Sequence, residues 1–286
     1  MILRSLIFSL VAATTIIVLA ACSPLPLLNA VIPSRGYTQT TDLAYGNLAR
    51  QKLDVYVPAH GDSRDKPVIV FFYGGSWDSG DKDDYRFAAE ALTSQGFVTV
   101  LPNYRLYPEV LFPDFLDDAA SAARWVKDNI ARFGGDPRRL YLMGHSAGAH
   151  IAAMLALDTR YLAKVNLRPQ DFRGMIGLAG PYDFLPLKKQ TLKTIFGPEP
   201  ERWRSQPINY VTGENPPLLL LVGKQDTRVS PGNSARLAAK VASKGGPVTL
   251  VEYPDYGHIE MVLKLAAPLR GDGAILAAVS DFVRSH

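Results

Sequence analysis

The chain has 286 residues, is 47% hydrophobic and 20% charged, and carries a formal net charge of +4 at pH 7. That length supports one large domain with a sizeable core, and basic residues spread without long runs exclude a nucleic-acid footprint. The single cysteine, Cys22, excludes an intrachain disulfide and a cysteine metal cluster.

Residues 1–21 join one basic residue, Arg4, to a nearly unbroken apolar run from Leu6 to Ala21, closed by Leu19-Ala20-Ala21-Cys22. A charged start, an apolar middle and small residues at the cut describe an export signal. The cysteine at the cut makes this stretch resemble the lipobox of bacterial lipoproteins. That resemblance implies a signal peptide over 1–21 and lipidation of Cys22. It also implies export and anchoring to a bacterial membrane, the outer membrane facing the periplasm in a Gram-negative cell. Residues 22–37, rich in Pro, Asn and small residues, read as a tether, which leaves 38–286 for the folded domain.

Strand and helix signals then alternate. Leu53–Val57 alternates and stops at Pro58, the mark of an early antiparallel strand, and Val68–Phe72 is a continuous apolar strand. Tyr85–Ser94 reads as a helix, Phe97–Leu101 as a strand ending at Pro102. Asp114–Ile130 reads as a helix whose inner face is Phe115, Ala119, Ala122, Trp125 and Val126. A strand over Leu140–Met143 and a helix over Ala147–Leu157 follow. Further strands are expected at Met175–Leu178, Leu218–Val222 and Val248–Val251, with helices at Ser234–Ala242 and Ala274–Val283. This alternation predicts an α/β fold, a mostly parallel sheet flanked by helices. The segment 183–217, with no clean strand between two sheet strands, reads as an excursion over the strand ends, either a small lid over a substrate pocket or a plain surface loop.

The stretch Gly144-His145-Ser146-Ala147-Gly148 has the spacing of a nucleophile elbow, with an apolar strand before it and helical spacing after it. A serine needs a base to take its proton, and there are five histidines. His60 lies in an early loop, His145 sits inside the elbow with its side chain expected to point away, and His150 follows on the departing helix. His286 is the last residue. His258, in the loop after the strand Val248–Val251, remains. Two carboxylates between Ser146 and His258 could orient it. Asp226 follows the strand Leu218–Val222 and a glycine turn; Asp183 opens the lid segment. Asp226 is favoured, and the order Ser, Asp, His is the order that accompanies this elbow.

Tyr73-Gly74-Gly75-Ser76-Trp77, Asn103-Tyr104-Arg105-Leu106, Phe112-Pro113, Leu116-Asp117-Asp118-Ala119, Phe133-Gly134-Gly135-Asp136-Pro137, the elbow and the loops of Asp226 and His258 follow one another in order. With them the chain resembles the α/β-hydrolases, specifically bacterial carboxylesterases similar to hormone-sensitive lipase and the esterase–arylformamidase branch. The resemblance implies the α/β-hydrolase fold and an oxyanion hole formed by the backbone N–H groups of Gly75, Ser76 and Ala147. Tyr73 stands where that family has histidine, which bears on the subfamily and not on backbone donors.

The expected chemistry is hydrolysis of carboxylic esters through an acyl-enzyme on Ser146, on short to medium acyl chains, with no cofactor and no metal. An amidase acting on activated amides and a tethered, non-catalytic binding module are the alternatives. Trp77 is a candidate substrate contact, or packs beneath its loop. Arg105 is expected to pair with Glu109 or Asp117, and Asp117-Asp118 to open a solvated helix face.

Overall fold

Apolar runs too short for helices become strands buried on both faces. In a computed structural model, which describes residues 28–29, 31–61 and 64–286, eight strands form one sheet. They are β1 (Tyr37–Ala44), β2 (Lys52–Pro58), β3 (Lys66–Phe72), β4 (Val98–Pro102), β5 (Gly135–His145), β6 (Gly174–Leu178), β7 (Leu218–Gly223) and β8 (Val248–Tyr253). Their order is β1-β2-β4-β3-β5-β6-β7-β8, with β1 and β2 antiparallel and the strands from β4 to β8 parallel. Val68, Ile69, Val70, Phe71 and Phe72 are all fully buried, as a central parallel strand requires.

The helices are α1 (Arg86–Ser94), α2 (Asp114–Asn129), α3 (Ala147–Leu157), α4 (Thr159–Ala163), α5 (Gln190–Ile195), α6 (Gly232–Ser243), α7 (Glu260–Leu263) and α8 (Ala274–Ser285). One group joins α8 to α1, and another joins α2 to α3 and α4. Helix α3 is buried along its whole length, which suits its run of Ala, Leu, Ile and Met. On α2 the expected inner face is buried except at Trp125, which is half-buried beneath the Arg132 guanidinium.

Strand β1 escaped the sequence reading. Its polar residues are mostly exposed, as on a sheet edge, and a register shift between Thr40 and Leu43 breaks its alternation. The later part of the expected tether is docked on the domain: Ile32 is buried, and the Arg86 guanidinium donates to the carbonyls of Asn29 and Ile32. The expected signal peptide and Cys22 lie outside the described residues. Among the described residues, no helix is long and apolar enough to cross a membrane.

Four parallel strands deliver the candidate residues at their carboxyl ends. Gly74–Trp77 follows β3, Ser146 follows β5, Asp226 follows β7 and His258 follows β8. This is the edge where open α/β sheets hold their ligands.

Candidate active site

Ser146 occupies the turn between β5 and α3 at φ 54° and ψ −120°, a positive φ that a residue with a Cβ bears only under constraint. Its N–H donates to the Leu178 carbonyl at 2.9 Å, which ties the turn to the end of β6. The tightness of the turn explains Gly148: a Cβ there would stand 2.0 Å from the Phe72 carbonyl oxygen.

The Ser146 hydroxyl donates to His258 Nε2 at 2.8 Å, and His258 Nδ1–H donates to Asp226 Oδ2 at 2.7 Å. The other Asp226 oxygen accepts from the N–H groups of Arg228 and Val229 at 2.9 and 2.8 Å. Both lone-pair faces of the acid are thereby assigned, and its side chain is shielded from water. Asp183, the rival acid, is not part of this chain. It binds the Arg236 guanidinium, while its own N–H donates to Asn233 Oδ1.

The loop after β3 runs directly over Ser146. A Cβ on Gly74 would lie 3.1 Å from the Ser146 Cβ. Gly75 has φ 140°, and a Cβ there would meet the Ser79 carbonyl oxygen at 2.0 Å, so glycine is required. Ser76 and Trp77 also have positive φ. The amide N–H groups of Gly75, Ser76 and Ala147 take no hydrogen-bond acceptor among the described residues. Gly75 and Ser76 line the same cleft as Ser146, and Ala147 is the residue next to it, so three N–H groups without an acceptor lie in the segments beside the serine.

Arg50, which the sequence reading passed over, holds that loop. Its guanidinium donates to the Tyr73 hydroxyl at 2.7 Å, the Gly80 carbonyl at 2.9 Å and the Tyr104 carbonyl at 2.9 Å. Tyr73 stacks on Tyr104, and the Tyr104 hydroxyl donates to the Tyr73 carbonyl. Tyr73 is thus a fully packed support for the loop. Arg105 forks onto Asp118, not onto Glu109 or Asp117. Asp118 is consequently buried instead of solvated, and Asp117 pairs with Lys164. The reason is helical geometry: adjacent positions on α2 point in different directions.

His145 corrects a second expectation. Its ring does not turn away but lies 4.9 Å from the His258 ring, with Nε2–H donating to the His258 carbonyl at 3.1 Å. Because that carbonyl only accepts, Nε2 carries the proton and Nδ1 is left unpartnered beside Gly74. His150, likewise buried, donates to the Ser205 carbonyl at 2.8 Å and pins the segment 183–217 to α3.

Burial, and after it the charge on His258, pushes the His145 pKa down to about 3; burial pushes that of His150 down to about 4. Unfolded, each returns to about 6.5. The unfolded chain then binds more protons, so their contribution is complete above about pH 6.5 and is lost as pH falls toward 4. At about pH 5 the loss is roughly 2 kcal/mol per histidine. A shallower fall in melting temperature from pH 7 to 5 is expected for His150→Phe than for the native chain, and equal slopes would refute this account.

The segment 183–217 has no strand among the described residues, and its first part, residues 183–189 and Leu192, lines the cleft. It is held together internally by Phe184 N–H to Gln206 Oε1 at 2.7 Å and tied to the domain by the N–H groups of Tyr182 and Asp183 to Asn233 Oδ1. Trp77 packs against Phe184, Phe196 and His150 and is only 4% exposed, yet it also lines the cleft. The packing reading of this residue therefore describes its surroundings, and one edge of it forms part of the cleft wall. The cleft has a volume of about 1310 Å³ and is lined by Ser146 and His258 as well as Trp77, Phe184, Leu187 and Leu192.

The family model BD-FAE matches residues 53–241 of this chain. Isoprenylcysteine alpha-carbonyl methylesterase ICME of Arabidopsis thaliana is 31% identical over 250 residues, a match covering 80% of this chain and 58% of that protein. Esterase LipQ of Mycobacterium tuberculosis (strain ATCC 25618 / H37Rv) is 30% identical over 274 residues, covering 88% and 63% respectively. The chain thus spans less than two thirds of the length of these curated relatives. Esterase B from Lactobacillus Rhamnosis (HN001) superimposes with a TM-score of 0.76 at 18% identity, over 100% of this chain and 98% of that one. At that identity it speaks for the α/β-hydrolase fold alone.

Proposed function

The chain belongs to the BD-FAE family, and from that membership we propose that it is a serine hydrolase of carboxylic esters, acting on short to medium acyl chains. One observation carries the reading: a Ser146–His258–Asp226 hydrogen-bonded chain opens into a cleft beneath three unengaged backbone donors. Relatives that bear the names methylesterase and esterase support it.

In this reading Ser146 Oγ attacks the ester carbonyl while His258 Nε2 takes its proton. Asp226 holds the Nδ1–H and stabilises the imidazolium, and the N–H groups of Gly75, Ser76 and Ala147 receive the developing oxyanion. The intermediate collapses as His258 returns the proton to the leaving alkoxide. Water, deprotonated by the same imidazole, then attacks the acyl-enzyme and releases the acid and Ser146. His145 stays neutral beside the imidazolium, so no second positive charge opposes it.

The test is turnover of p-nitrophenyl esters from acetate to palmitate, with fluorophosphonate labelling in parallel. We expect the highest rates from acetate to octanoate and a steep fall at palmitate, the profile of an esterase for short to medium acyl chains. Absence of both turnover and labelling would overturn the hydrolase reading. Labelling without ester turnover would move the substrate to activated amides such as arylformamides.

We also propose export with lipidation of Cys22, supported by the apolar run and the Leu19-Ala20-Ala21-Cys22 junction. Radiolabelled palmitate should enter the native chain in a bacterial host and be lost from Cys22→Ser; equal labelling would refute it.

A further inference from the structure

The charges around the cleft are unevenly matched. Lys188, Lys189 and Arg228 line it together with Ser146, and none of the three side chains takes a carboxylate partner among the described residues. A fourth cation, Arg236, is neutralised by Asp183. Two further carboxylates line the cleft. Asp226 is turned onto His258, and Asp84 has its carboxyl held above the usual range by burial and then by the charges of Asp81 and Asp83.

The cations stand on a fixed framework although their side chains are exposed. The Arg228 N–H is bound to Asp226 Oδ1, so this residue is tied to the acid behind His258. Lys188 follows the buried Leu187, and Lys189 directly precedes α5, whose inner residue Ile195 is buried. Two separate segments, one after β6 and one after β7, thus bring unpaired positive charge to one opening. Beside it, Leu185 and Ile259 are 38% and 36% exposed, which supplies apolar surface at the same rim. The inner wall of Trp77, Phe184, Leu187 and Leu192 is apolar and suits an acyl chain. The charged rim borders the solvent, into which a leaving alcohol departs.

We propose that this cleft selects acidic esters, whose alcohol portion carries a carboxylate received by Arg228, Lys188 and Lys189. The inference rests on the ester-hydrolase reading and narrows it to a substrate class. An opening with an excess of one sign of charge concentrates ligands of the opposite sign and steers their approach, an effect that salt weakens. The carboxylate takes no part in bond making: Ser146 forms the acyl bond and the carboxylated alcohol leaves with the proton from His258.

Two aryl acetates of nearly equal shape test it, 4-acetoxybenzoate and its uncharged methyl ester. Each value of kcat/KM is divided by the rate of the same ester with hydroxide, which removes the difference in leaving-group strength. We expect the anion to be preferred by ~10-fold at low salt, and the preference to shrink toward parity at about 0.5 M NaCl. Combined replacement of Lys188→Gln, Lys189→Gln and Arg228→Gln should bring the ratio close to one. The salt series on the native protein is an independent reading that needs no variant. A native ratio at or below one, with the methyl ester turned over, overturns the acidic-ester proposal and leaves ester hydrolysis standing. A ratio that survives the triple replacement overturns it as well. If neither ester is turned over, the ester-hydrolase reading falls, and this proposal with it.

Discussion

Ser146→Ala is expected to lower kcat/KM by roughly 10,000-fold or more, a loss of about 5 kcal/mol of transition-state stabilisation. The variant removes only Oγ. Alanine keeps the Cβ, so the turn bears the same φ of 54° and the tie from the Ser146 N–H to the Leu178 carbonyl persists. Its melting temperature should therefore stay within about 3 °C of the native value, since one hydrogen bond to His258 contributes roughly 1 kcal/mol. Fluorophosphonate labelling should vanish with activity. A correctly folded Ser146→Ala protein that retained a tenth of native turnover would remove Ser146 from the role of nucleophile.

Asp226→Asn should cost roughly 10,000-fold in kcat, the scale on which a mis-set histidine tautomer acts in Ser-His-Asp sites generally. The geometry explains why. The amide oxygen would keep the two bonds from the Arg228 and Val229 N–H groups, which turns the NH2 group toward His258 Nδ1. Nδ1 must then accept, and the ring proton moves to Nε2, where it faces the Ser146 hydroxyl and blocks proton transfer. Asp183→Asn is the matched control. It breaks an ion pair with Arg236 at the cleft rim and should change kcat less than about tenfold, because an exposed pair contributes roughly 1 kcal/mol or less. Equal losses in the two variants would contradict the assignment of Asp226.

Much of this was legible in the chain. Val68–Phe72 and Leu218–Val222 announced buried strands because continuous apolar runs bounded by Gly or Pro have few other solutions. Gly144-x-Ser146-x-Gly148 announced its own turn, since only small flanking residues let helix α3 approach Phe72 so closely. Strand β1 was not legible, because an edge strand with polar residues on both faces has no hydrophobic period. Arg50 was not legible either. It looks like a loop residue, and only the folded chain shows its guanidinium reaching Tyr73, Gly80 and Tyr104.

His145 marks the boundary most clearly. Its position inside the elbow was plain, yet the direction of its ring was misjudged, because that depends on the His258 loop arriving from β8, 113 positions away. The chain by itself determined the order of strands and helices, the strained serine and the short roster of acids and bases. These follow from side-chain periodicity and backbone sterics acting within a few residues. The tertiary structure alone decided that Asp183 turns to Arg236, that Asp118 takes Arg105, and that Lys188, Lys189 and Arg228 share one opening. Those choices depend on contacts between strand ends brought together by a common buried sheet, and a carboxylate's neighbours in sequence carry no record of which strand will lie beside its own.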